Sequence, residues 1–246
     1  MVALAKTSAC IAGAAAITWL GYNCYSPTSQ LYGSTIARPD DARAIALTFD
    51  DGPNERCTLA LLDVLEHHGA RATFFLIGRF VAVRPSIARH IAEAGHSIGN
   101  HTYTHPNLLF ASGTEVRGEI VATSNAISDA TGVQTRWFRP PFGARRPAVL
   151  KIARELGLTP VMWNVTAFDW NPTTAERVFQ TASRGIAGNK EKGHLVLLHD
   201  GGHRALGADR QHTVEATERL ISACKQHYYF QSLDQICPSA VPTASI

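Results

Sequence analysis

From Arg43 onward the chain alternates short apolar runs with amphipathic segments of helical period, and this alternation restricts its fold more than any other feature. The runs that read as strands are Ala44–Phe49, Ala72–Ile77, His96–Gly99, Arg136–Phe138, Thr159–Val165, His194–Leu198 and Tyr228–Gln231. Helices are expected over Cys57–His68, Pro85–Glu93, Gly113–Thr131, Arg146–Leu156, Thr173–Ile186 and Thr213–Gln226. In the first of these, Leu61, Val64, Leu65 and His68 share one face at helical spacing. Gly69, Gly95, Gly132 and Gly157 each follow a helix, where a C-terminal cap favours glycine. Repeated strand–helix units predict an α/β protein with a parallel sheet or barrel.

A length of 246 residues with 45% apolar content supports one large domain with a proper core. The net charge is only +3, and no dense Lys/Arg run points to a nucleic-acid partner. Residues 1–25 stand apart. Lys6 precedes an apolar run from Ala9 to Leu20, shorter than the ~20 residues a membrane span needs and closer to the core of a signal peptide. No small-x-small cleavage site follows, so an uncleaved membrane anchor is one alternative and a buried helix of the fold another; the signal-peptide and anchor readings, which are favoured, imply export to the periplasm, cell surface or medium. Residues 26–42 read as a linker, 43–237 as the domain and 238–246 as a loose tail. The five cysteines form no C-x-x-C pair, which argues against thiolate-bound zinc. Cys224 and Cys237 flank the last helix and strand and are candidates for pairing; free buried thiols are the other reading.

In parallel α/β folds, chemistry collects at the carboxyl ends of the strands. Asp50 and Asp51 end the first strand, His101 and His105 follow the third, Arg139 the fourth, Asp169 the fifth, and His199 with Asp200 the sixth. Four-residue spacing puts His101 and His105 on one side of a helical turn, close enough to share a metal. With one carboxylate they make a site that suits Zn²⁺, with Fe, Co or Ni also fitting. Because side chains alternate along a strand, one of Asp50 and Asp51 is expected to face the metal and the other the substrate. Arg139 precedes two prolines that stiffen its segment and is placed to hold a carboxylate in a fork of hydrogen bonds. Phe142 is the first residue after them with a backbone N–H to offer an oxyanion. His199 is a candidate general acid, with Asp169 as its orienting partner and Asp200 as the competitor. Trp170 and Leu197 are apolar neighbours able to enclose a methyl group.

The series Thr-Phe-Asp-Asp-Gly-Pro, His-Thr-x-x-His, Arg-Pro-Pro-Phe-Gly, Asp-Trp and Leu-Leu-His-Asp resembles the polysaccharide deacetylases with a NodB homology domain, carbohydrate esterase family 4. The likeness runs from about Arg43 to Ile236. It implies a distorted, incomplete (β/α) barrel that removes acetyl groups from N-acetylglucosamine units of chitin, peptidoglycan or related glycans, or else O-acetyl groups from xylan. By this resemblance Asp50 is the general base, and Asp51, His101 and His105 hold a divalent metal, Zn²⁺ first and Co²⁺ or Ni²⁺ as substitutes. Arg139 then orients Asp50, His199 is the general acid tuned by Asp169, Phe142 supplies the oxyanion N–H, and Trp170 and Leu197 line the acetate pocket. The implied partner is an acetylated glycan, with membrane association only through the N-terminus. One departure is Thr166, where the family often carries an aspartate three residues before the Asp-Trp pair; another is Phe142 in place of a frequent tyrosine. A carbohydrate binder that keeps the fold without catalysis is the competing class.

Overall fold

A computed structural model describes residues 18–188 and 191–238. Cys10, most of the apolar N-terminal run and the tail from residue 239 lie outside the described residues. The strands are β1 (Ala44–Gly52), β2 (Ala72–Leu76), β3 (Ser97–Asn100), β4 (Trp137–Phe138), β5 (Thr159–Pro160), β6 (Val165–Thr166), β7 (His194–His199) and β8 (Tyr229–Phe230). The helices are α1 (Cys57–His67), α2 (Gly78–Val83), α3 (Pro85–Glu93), α4 (Gly113–Thr131), α5 (Pro147–Glu155), α6 (Ala175–Ala187), α7 (Gln211–Cys224) and α8 (Leu233–Ile236). All strand pairs are parallel, in the order β5-β4-β3-β2-β1-β7-β6, with β8 joining the start of β1. The sheet curls into an incomplete barrel surrounded by helices, as the resemblance implies.

Burial on both faces explains the apolar runs. Along β1, Ile45, Leu47 and Phe49 enter the large core beneath α1, α3, α6 and α7. Ala46 turns inward to a smaller cluster with Phe75, Trp163, Leu195 and Leu197. The same alternation runs along β7, where Val196 and Leu198 face the outer core and Leu195 and Leu197 the inner cluster. Thr48, Asp50 and His199 therefore share the inner face. The longest helix, α4, begins with a Ser112–Glu115 capping box and ends on Gly132 at φ +72°. Gly69, Gly95 and Gly157 also adopt positive φ, as expected of helix ends.

The expected strand Thr159–Val165 is corrected. Its start pairs with β4 and its end with β7, at opposite ends of the strand path. Between them Val161, Met162 and Trp163 are buried as a crossing segment. A run buried on all sides is apolar whether or not it pairs, so periodicity does not separate the two cases. The short helices α2 and α8 are additions to the expected set.

Residues 26–42, read from composition as a linker, are tied along much of their length. Ile36 bridges Val161, its N–H donating to the Pro160 carbonyl and its own carbonyl accepting from Met162. The fully buried Arg145 donates through Nη2 to the carbonyls of Ser26 and Ser29 and through Nη1 to that of Gly143. Arg154 reaches the Ser34 carbonyl. Before this strap, residues 18–25 are helical, and among the described residues no helix is long and apolar enough to cross a membrane. Cys224 and Cys237 are both free and pack against different clusters, Cys224 on the large core and Cys237 on the inner one.

Arg145→Ala is expected to lower the unfolding free energy by about 2–4 kcal/mol, from the loss of several charge-assisted bonds to backbone carbonyls. Urea denaturation measures this, and limited proteolysis should then cut within residues 26–36.

Candidate metal centre and active site

Strand β1 continues through Asp50 and Asp51, but the pairing with β2 slips between Asp50 and Gly52, and Asp51 sits at φ +71°. A left-handed residue in a bulge breaks the side-to-side alternation. Both carboxylates consequently face one cavity, correcting the expectation that they diverge. His101 Nε2 lies 3.6 Å from Asp50 Oδ2 and 3.6 Å from Asp51 Oδ1, and His105 Nε2 lies 3.2 Å from Asp51 Oδ1.

The histidine pair is close, with ring centroids 4.9 Å apart, but not on a helical turn. Residues 101–105 form an irregular loop with Thr102 at φ +65° and His105 at φ +63°. Helix α4 holds this strained shape. The Glu119 carboxylate accepts from the N–H groups of Tyr103 (2.8 Å) and Thr104 (2.7 Å) and from the Thr104 hydroxyl (2.8 Å). Asn100 Oδ1 accepts the N–H of Thr102 while its amide nitrogen donates to the Ile120 carbonyl.

Arg139 is wholly buried. Its Nη1 donates to Asp50 Oδ1 (2.7 Å) and to the Thr48 hydroxyl (2.8 Å), and its Nη2 to the Met162 carbonyl (3.0 Å). Asp50 is thus gripped by one nitrogen rather than by the expected two-pronged fork. The guanidinium lies over Phe75 at 4.1 Å and near Trp163 at 5.5 Å. Burial lowers its pKa against the opposing pull of Asp50.

His199 Nδ1 is 2.9 Å from Asp169 Oδ1, and the His199 N–H donates to Asp169 Oδ2 at 2.7 Å, an oxygen that also accepts the Thr213 hydroxyl. Burial disfavours the imidazolium, but Asp169 and then Asp51 and Asp50 outweigh it and raise the His199 pKa to about 9. Burial also opposes charge on Asp169, yet His199 and these hydrogen bonds keep its carboxyl below the usual range. Asp200 turns away, accepting from the Thr58 hydroxyl, and burial pushes its pKa up to about 7.

Among the described residues, Asp51, His101 and His105 bring donor atoms within 4.8 Å of one another. Several features fit a divalent ion. Asp51 Oδ1 is buried without a hydrogen-bond partner. Burial opposes its charge, but His203 and the neighbouring histidines hold its pKa well below the usual carboxylate range. Burial, reinforced by His101, pushes His105 down to about 3, leaving a neutral imidazole. His101 Nδ1 donates to the Arg139 carbonyl at 2.8 Å, which leaves Nε2 bare toward the carboxylates. One carboxylate and two imidazoles suit Zn²⁺, Co²⁺ or Ni²⁺.

These residues open on a cavity of about 590 Å³ that is also lined by Phe142, Trp170, Leu197 and His199. Arg139 and Asp169 stand behind its wall. Phe142, at φ +60°, packs its ring edge-on to His105, and Trp170 packs edge-on to His199. Thr166 accepts the indole N–H of Trp163, a wall residue not anticipated from the sequence. Also unanticipated are Glu119, Arg210, which grips the Gly201 carbonyl, and His203. His203 carried a readable signal: it follows Asp200-Gly201-Gly202, in the loop after a strand that already bears site residues.

The polysaccharide deacetylase family pattern matches residues 37–161. The chain is 36% identical over 198 residues to the peptidoglycan-N-acetylglucosamine deacetylase of Bacillus cereus, spanning 80% of this chain and 68% of that one. It is 40% identical over 173 residues to the chitooligosaccharide deacetylase of Azorhizobium caulinodans, spanning 70% and 80%. A crystal structure of a peptidoglycan N-acetylglucosamine deacetylase superposes with a TM-score of 0.73 at 33% identity, covering 82% of this chain and 91% of the other. So does that of a carbohydrate esterase family 4 pseudoenzyme from Bacillus anthracis, with a TM-score of 0.73 at 31% identity, covering 82% and 68%. The chain belongs to the polysaccharide deacetylase family, carbohydrate esterase family 4.

The His199–Asp169 pair predicts a pH dependence in the metal-free protein. The folded His199 pKa of about 9 lies above its ordinary 6.5, so the pair's stabilisation is full below about pH 6.5 and lost as pH rises through about 9. NMR titration should find the His199 imidazole protonated at neutral pH, and Asp169→Asn should bring its pKa down by two units or more.

Proposed function

We propose that this protein hydrolytically removes acetyl groups from N-acetylglucosamine units of a glycan, using a divalent cation held by Asp51, His101 and His105. Because a pseudoenzyme shares the fold, the fold alone does not carry this reading. The observation that carries it is the convergence on one cavity of an arginine-held carboxylate, the ligand triad and a histidine–aspartate pair. The relatives' names support the amide substrate, in chitooligosaccharide or peptidoglycan.

A cation bound there supplies Lewis acidity toward the acetyl carbonyl and acidifies water. The protein's own groups do the rest. Asp50, fixed by Arg139 and facing the ligand histidines, takes the proton from the attacking water. Phe142, held left-handed at the cavity edge, offers its N–H to the oxygen that gains charge. Trp170 and Leu197 enclose the acetyl methyl. His199, kept protonated by Asp169, donates to the leaving amine nitrogen, which cannot depart as an anion. The apolar N-terminal run and the peptidoglycan-directed relatives support a place of action outside the cytoplasm.

Acetate release from N-acetylated chitooligosaccharides and from peptidoglycan tests this reading. Chelation should abolish release and Zn²⁺ should restore it. Asp50→Asn should keep the metal and lose about 10²–10⁴-fold in kcat; a variant retaining most of its turnover would remove Asp50 from the role of base. His199→Ala should depress amide hydrolysis more than hydrolysis of an acetyl ester, whose leaving group needs less help from a proton donor.

A further inference from the structure

The loop between β7 and α7 lies against the ligand set. Gly201 is packed so tightly on β1 that a Cβ there would meet the Asp51 carbonyl oxygen at 2.2 Å. This contact delivers the next residues to the cavity mouth. The His203 N–H donates to Asp51 Oδ2 at 3.2 Å, and its Nδ1 lies 3.6 Å from the same oxygen. The other oxygen, Oδ1, faces His101 and His105. The His203 ring lies nearly parallel to that of His105, centroids 4.4 Å apart at 13°, and Phe142 closes edge-on against both. Arg79 donates to the His203 carbonyl and rides on the Phe80 ring at 4.8 Å. His203 is thus fastened at its N–H, its ring and its carbonyl, while contacting two of the three candidate ligands.

We infer that His203 is a positioning residue of the metal centre: its backbone N–H holds Asp51 Oδ2 and turns Oδ1 to the ion, while its ring sets Nδ1 beside the same oxygen and backs the ring of His105. This assignment rests on the metal reading of the Asp51–His101–His105 set. A carboxylate confined to one oxygen takes one coordination position; released, it can take two. Single-oxygen binding keeps a position open for the acetyl oxygen or water, which a catalytic site requires. Groups that hydrogen-bond ligating side chains typically change metal affinity 10- to 100-fold when lost.

The test is metal binding, read without turnover. His203→Ala removes the ring and leaves the backbone N–H. Zn²⁺ affinity, measured by competition with a chromophoric chelator, should fall about 10-fold. The visible absorption bands of the Co²⁺ protein should shift as His105 loses the ring stacked on it and Asp51 Oδ2 loses the neighbouring Nδ1. Wild-type affinity together with an unshifted Co²⁺ spectrum would overturn the role of His203. Should His203→Ala fail to fold, His203→Phe, which keeps a ring against His105 but removes the nitrogen facing Asp51, should still shift the Co²⁺ bands; an unshifted spectrum would overturn the role equally. Failure of the unmutated protein to take up either ion is a different result, and overturns the metal reading itself.

Discussion

The site depends on one buried cation. Taking a guanidinium out of water costs several kcal/mol unless its donors are met. Arg139 offsets that cost with Asp50, the Thr48 hydroxyl, the Met162 carbonyl and the face of Phe75. These partners come from β1, from β2 and from the segment that crosses between β5 and β6. The backbone carbonyl of the same residue accepts from His101. One side chain and its peptide therefore fix the carboxylate expected to act as base, a candidate metal ligand and the chain that spans the barrel opening. Without it, Asp50 would stay buried beside Asp51 without the guanidinium that now meets its Oδ1.

The second constraint is the slip at the end of β1. A regular strand would send Asp50 and Asp51 to opposite faces, one into the cavity and one into the core. The left-handed Asp51 turns both the same way, and close packing keeps it there. Gly52 leaves no room for a Cβ, which would meet Asp200 Oδ2 at 2.4 Å, and the adjoining Gly201 presses on the Asp51 carbonyl. The pairing of Asp50 with His199 across β1 and β7 then sets the two halves of the proposed acid–base chemistry side by side.

Much of this could be read from the chain itself. Strand–helix alternation gave a parallel α/β fold, and Asp50, Asp51, His101, His105 and His199, placed at strand ends, do meet in one cavity, with Arg139 and Asp169 behind its wall, because a parallel sheet gathers those ends. What escaped is what depends on backbone geometry or on partners distant in sequence. Periodicity says nothing of a single left-handed residue, so the joint orientation of Asp50 and Asp51 was hidden. Helical spacing between His101 and His105 described their proximity but not its cause, which is a loop pinned by Glu119 from another element. Thr159–Val165 is apolar because it is enclosed, not because it is one strand. His203 could be placed in the loop after a strand that bears site residues, but its contact with Asp51 is visible only in the fold.

The bridge of Ile36 to β5 has a consequence for how molecules of this protein meet one another. β5 ends the path of paired strands, and such an edge presents unpaired N–H and carbonyl groups to any neighbour. Here the Pro160 carbonyl and the Met162 N–H are both taken by Ile36. The segment before the domain therefore acts as a guard on the sheet, and a chain shortened past it would expose a template for strand pairing between copies. Self-association, rather than damage to the cavity, is the expected result of losing this short stretch of backbone.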